Sequence, residues 1–143
     1  MTGLVALWNP VDGQGAPSER AFALFVRRVQ KNHGCAQCPP LTSVIRDLGR
    51  IPKVRRGQTL ITPRWYRNQP VVKVLAQTTL AREAPYRDRY HAILALRKLG
   101  AGETLRKVSV SLKRLTQDPL AKQLVGVCAK LLGRPVSSAT GNR

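Results

Sequence analysis

Apolar side chains recur at helical spacing in the first and last thirds of the chain and lose that spacing in much of the stretch between. Phe22, Phe25, Val26 and Val29 follow the i, i+3, i+4, i+7 pattern of one helix face. Ser18 stands where an N-cap belongs, Glu19 complements the positive end of the helix, and Gly34 supplies a stop. The pattern predicts an amphipathic helix over 18–32, with Arg20, Arg27, Arg28 and Lys31 on its remaining faces. Leu41, Val44, Ile45 and Leu48 share one face of about two further turns, which Gly49 would end. In the last third, Pro85 opens a helix over 85–99 with Tyr86, Tyr90, Ile93 and Leu94 on one face and Gly100 at its close. Leu105, Val108, Leu112 and Leu115 predict another helix over 103–116, although the Val-Ser-Val-Ser run at 108–111 leaves a strand open there. Asp118 as N-cap and Pro119 at the first helical position lead into Leu120, Leu124, Val127 and Leu131, before Gly133 and Pro135 stop the run. Links of a few residues favour antiparallel neighbours.

The fold class expected is therefore mainly α, in five parts. Residues 1–17 form an extended apolar lead-in, 18–34 the basic amphipathic helix, and 35–79 a basic segment punctuated by Pro and Gly. Residues 80–135 form a helical domain of antiparallel hairpins or a three-helix bundle, and 136–143 a mobile polar tail. Apart from the short helix at 41–48, the middle segment reads as loop and extended chain, because each Pro removes a donor and biases its predecessor away from helix.

Charge changes the picture more than hydropathy does. Of 143 residues, 25 are Lys or Arg and only 7 are Asp or Glu, a net charge of +18. Leu, Ile, Val and Phe number 38, enough for a core, so the excess charge calls for a polyanionic partner instead of disorder. Arg outnumbers Lys 17 to 8, and the planar guanidinium fork suits phosphate. The density peaks at 46–73, where eight bases meet the single acid Asp47. No apolar run reaches the ~18–20 residues of a membrane-spanning helix, so the chain is not expected to be an integral membrane protein.

Candidate chemistry is sparse. His33, Cys35 and Cys38 are weak candidate metal ligands: two thiolates at C-x-x-C and one imidazole fall one short of a tetrahedral set. Any zinc or iron–sulfur site here would be shared with another chain, and the expectation is no cofactor. Three cysteines do not make a disulfide framework and suggest a reducing interior, with Cys128 a small buried hydrophobe. The acids lie scattered beside bases and no nucleophile, metal-helix or phosphate-loop motif occurs, so no enzyme and no small-molecule substrate are expected.

The stretch from Arg64 to Lys73, Arg-Trp-Tyr-Arg-Asn-Gln-Pro-Val-Val-Lys, interleaves two aromatics with Arg, as contacts to unpaired bases and flanking phosphates require. If the segment is extended, Trp65 and Tyr66 point to opposite sides. One ring would then face RNA and the other pack on the core. Together with Glu19-Arg20-Ala21-Phe22 and Arg27-Arg28, the residues Arg64, Tyr66, Pro70 and Lys73 resemble the small-subunit ribosomal protein S-twenty-one family. That family carries a basic first helix followed by Arg-x-Tyr-x-x-x-Pro. The insert at 35–62 is longer here, Asn68-Gln69 replaces an acidic–basic pair, and the helices after Pro85 are additional. The resemblance implies an all-helical protein on the small-subunit platform of a ribosome, mitochondrial in view of its extensions, bound to ribosomal RNA and neighbouring ribosomal proteins. The RNA-binding residues expected are Arg27, Arg28, Lys53, Arg55, Arg56, Arg64, Tyr66, Arg67 and Lys73. The alternative is a non-catalytic accessory subunit of a large organellar membrane-associated complex, its basic surface meeting acidic subunits or lipid headgroups. A sequence-specific DNA-binding module fits less well, because the basic density avoids any predicted recognition helix.

Overall fold

The computed structural model describes residues 18–33, 35 and 37–133, so the lead-in, the Gly34 stop and the polar tail lie outside the described residues. The protein is mainly helical. In chain order come α1 (Glu19–Lys31), α2 (Thr42–Leu48), β1 (Val54–Arg56), β2 (Thr59–Ile61), α3 (Arg64–Arg67), α4 (Val71–Leu80), α5 (Tyr86–Lys98), α6 (Gly102–Arg114) and α7 (Ala121–Leu132).

The first helix forms as its pattern requires. The Ser18 Oγ accepts the Ala21 N–H at 3.3 Å, and Phe22, Phe25, Val26 and Val29 are all buried. They pack toward α2 and α4. Helix α2 has no side-chain cap of its own, and its seven residues are too few to persist alone. Its cap comes from far along the chain. Both carboxylate oxygens of Asp88, in α5, accept the Leu41 N–H at 3.0 and 2.8 Å, and Oδ1 also accepts the Thr42 hydroxyl at 3.1 Å. At the other end of α2, Gly49 lies so close to α5 that a Cβ on it would come within 2.9 Å of the Ala95 Cβ.

Besides the single turn of α3, the middle segment is more ordered than expected in two places. Residues 54–61 form an antiparallel hairpin, with Val54 opposite Ile61 and Arg56 opposite Thr59. Gly57, at φ 67°, takes the first place of its two-residue turn, where a positive φ suits Gly. Residues 71–80 form helix α4, not extended chain. Pro70 precedes the helix, where its missing N–H costs nothing, and its carbonyl accepts the Val74 N–H at 2.9 Å. Val71, Val74, Leu75 and Thr78 then line a buried face. The hydroxyls of Thr78 and Thr79 donate to the carbonyls of Val74 and Leu75 at 2.8 and 2.9 Å, which lets both residues be buried.

Helix α4 also runs across the boundary expected between segments 35–79 and 80–135, and it packs on both α5 and α6. One apolar core therefore extends from Phe22 through Leu75 and Leu96 to Leu124. Helices α5, α6 and α7 pack on one another within it, and the Val-Ser-Val-Ser run is helical.

The buried face of α5 is rotated from the expected one. Tyr86 is exposed and Tyr90 and Leu94 are half-buried, while Asp88, Arg89, Ala92, Ile93, Ala95 and Leu96 face inward. Arg89 has no exposed surface at all. Its Nη1 and Nη2 donate to the two carboxylate oxygens of Asp118 at 3.2 and 2.6 Å, and its Nε donates to the Thr79 carbonyl at 2.8 Å. Asp118 in turn accepts the Leu120 N–H at 3.1 Å ahead of α7. The guanidinium thus joins the end of α4, the body of α5 and the α6–α7 link, and it holds the Asp118 carboxyl below its ordinary value.

Candidate nucleic-acid interface

Two short elements, the hairpin and α3, lie within the most basic stretch of the chain, and α3 packs on the helical body. Pro63 opens α3, its carbonyl accepting the Tyr66 N–H at 3.1 Å, and the turn runs only to Arg67. Because the backbone coils here, the expectation of oppositely directed aromatics fails. Trp65 and Tyr66 both turn inward onto Phe22 of α1, with ring centroids 5.8 and 5.4 Å from it. Both are half-buried, and burial pushes the Tyr66 phenol above its usual range. Arg64 and Arg67, one turn apart, stay exposed. Trp65→Ala and Tyr66→Ala are therefore each expected to lower the melting temperature, by several degrees, as loss of a partly buried ring contact should. A melt unchanged by Tyr66→Ala would restore that residue to a surface role.

Between α3 and the hairpin lies a cleft of about 300 Å³ lined by Val54, Arg56, Ile61, Thr62, Pro63, Arg64 and Arg67. The structure thus brings together three of the expected RNA-binding residues, Arg56, Arg64 and Arg67. Lys53 is tethered at its edge, its Nζ donating to the Thr62 hydroxyl at 3.2 Å. No acidic side chain lines this cleft among the described residues. Arg55 projects from the opposite face of the hairpin. Arg27 and Arg28 stand apart on α1, grouped with Lys31 around the exposed Leu24, and Lys73 is exposed on α4.

Internal use of carboxylates sharpens this field. Asp88 and Asp118 are buried in the cap and the ion pair, leaving Glu19, Asp47, Glu83 and Glu103 to face the many surface bases of the described residues. Asp47 already sits 3.9 Å from Arg50.

The metal candidates are placed differently. Cys35 and Cys38 are joined in a disulfide, in which neither sulfur is a thiolate ligand. The Thr78 hydroxyl, which donates to the Val74 carbonyl, accepts from the His33 Nε2–H at 2.8 Å. Burial lowers the His33 pKa, opposed in part by a hydrogen bond to the Val74 backbone. Cys128 is buried on α7 as expected, and its thiol is pushed up to about 11.

No family model, curated protein or solved structure matches this chain.

What sequence reasoning missed at the site is the apolar part. Val54, Ile61 and Pro63, within the stretch expected to be loop and extended chain, form the walls between the guanidinium groups. The signal was present in a Gly-Gln pair flanked by short runs containing the β-branched Val54, Thr59 and Ile61.

Proposed function

We propose that this protein is a structural, non-catalytic RNA-binding protein of a ribonucleoprotein particle. The observation that carries the reading is the convergence of Arg56, Arg64 and Arg67 on one cleft with no acidic side chain in its lining. Guanidinium groups grouped this way neutralise phosphates along a backbone and fix its course. The particle proposed is the small subunit of a mitochondrial ribosome, with ribosomal RNA and neighbouring ribosomal proteins as partners. That narrower step rests on the resemblance, whose two halves touch: Phe22 of the first helix packs on Trp65 and Tyr66 of the Arg-x-Tyr-x-x-x-Pro stretch.

Sedimentation of the tagged native protein tests this. It should travel with a ribosomal small subunit, and RNase should return it to the top of the gradient. Sedimentation that resists RNase but yields to detergent, or that DNase abolishes, would overturn the reading.

A further inference from the structure

Cross-strand partners in an antiparallel hairpin share a face, and alternate residues of a strand face the same way. The register therefore places Val54, Ile61 and Arg56 on one side of the ribbon and Arg55 with Leu60 on the other. The first side is the one that lines the cleft; Thr62 and Pro63 continue it, and Arg64 and Arg67 of α3 complete it. Aliphatic wall and cationic fork alternate around a space of about 300 Å³. That volume lies at the lower end of the roughly 300–1,000 Å³ common for ligand clefts, room for one nucleotide and not for a stacked run.

The chemistry of the lining selects the occupant. A bare phosphate would leave Val54, Ile61 and Pro63 without a partner, and a wholly apolar group would leave three guanidinium charges uncompensated. An unpaired nucleotide supplies both surfaces. Its base lies against the aliphatic wall and can stack on an Arg plane, while its phosphates meet the remaining forks. The rings of Trp65 and Tyr66, turned onto Phe22, leave this role to the cleft.

We infer that the cleft takes a single unpaired nucleotide of a structured RNA, a bulged or splayed-out base, so that the protein recognises a break in a helix. The inference rests on the RNA-binding role proposed above and names the feature recognised.

The test measures binding of the full chain to three labelled RNAs by fluorescence anisotropy. These are a blunt duplex, the same duplex with one unpaired uridine, and a version in which that uridine is abasic. The bulged RNA should bind roughly tenfold more tightly than the blunt one, and removal of its base should cancel most of the gain. Arg56→Gln and Arg67→Gln, both at exposed positions, should erase the preference for the bulged RNA over the blunt duplex, with unchanged melting temperatures. Free uridine monophosphate should not compete at nucleotide concentrations where the bulged RNA does. Equal affinity for the three RNAs would overturn the inference and leave the RNA-binding reading standing. Effective competition by the free nucleotide would make this a small-molecule site instead. Failure to bind any of the three would overturn both.

Discussion

Replacing Arg89 with Met is expected to destabilise the protein by about 3–5 kcal/mol, the range for removing one member of a buried ion pair. The size follows from what is left behind. The Asp118 carboxylate would remain 99% buried as a side chain with its cation gone, and the Thr79 carbonyl would lose its Nε donor. The pH dependence distinguishes this cause from simple loss of packing. In the native protein the Asp118 pKa is depressed below the ordinary 3.8, chiefly by the Arg89 hydrogen bonds. The pair's contribution is therefore complete above that value and disappears as pH falls through the depressed one. In Arg89→Met the strongest lowering cause is gone, and burial is opposed only by the Leu120 N–H and the Arg82 charge. The carboxyl pKa therefore rises from its native position, and acidification should narrow the gap between variant and native protein. Adding Asp118→Asn removes the stranded charge and keeps an oxygen for the Leu120 N–H, so the double variant should recover much of the loss. Urea unfolding of the three proteins across pH checks each point. A deficit independent of pH and not relieved by Asp118→Asn would show that packing, not charge, dominates.

The second large effect is on RNA affinity. If the hairpin, α3 and the basic face of α1 together neutralise six or more phosphates, affinity should fall by at least about 10³-fold between roughly 50 and 200 mM salt. Arg55→Ala with Arg56→Ala, flanking the exposed hairpin turn, should flatten the logarithmic salt slope by about one to two units. Binding titrations over a salt series give the slope directly. A slope that the double substitution leaves unchanged would mean the hairpin does not lie on the RNA.

How much of this was legible depended on whether an element's partner lay nearby in the chain. Helix α1 was readable because its cap, its four apolar residues and its charged faces all lie within one short segment. Helix α6 was readable from Leu105, Val108 and Leu112, all buried, whereas α7 begins at Ala121 instead of Pro119 and, of its expected face, buries Leu124 while Leu120, Val127 and Leu131 stay half-buried. The face of α5 was not readable. Asp88 and Arg89 have the composition of a solvated surface, and their reasons for burial, the Leu41 N–H and the Asp118 carboxylate, lie 47 and 29 residues away. Helix α4 carried a helical pattern in Val71, Val74, Leu75 and Thr78, but Pro70 and the β-branched run argued locally for extension, and packing on α5 and α6 prevailed. At the interface, charge was legible and shape was not. The basic density at 46–73 located the region, yet only the folded turn at α3 shows that Trp65 and Tyr66 anchor it while Arg56, Arg64 and Arg67 face outward.

The remote cap on α2 sets an order of assembly during synthesis. The Leu41 and Thr42 donors leave the ribosome more than forty residues ahead of the Asp88 carboxylate that satisfies them. Until α5 follows, a seven-residue helix without its own cap has no means of persisting, and the strongly basic chain around it emerges unanchored. Completion of α5 thus closes the amino-terminal half as well as extending the carboxy-terminal one, and a nascent chain arrested before residue 88 should present its arginines on an unstructured strand.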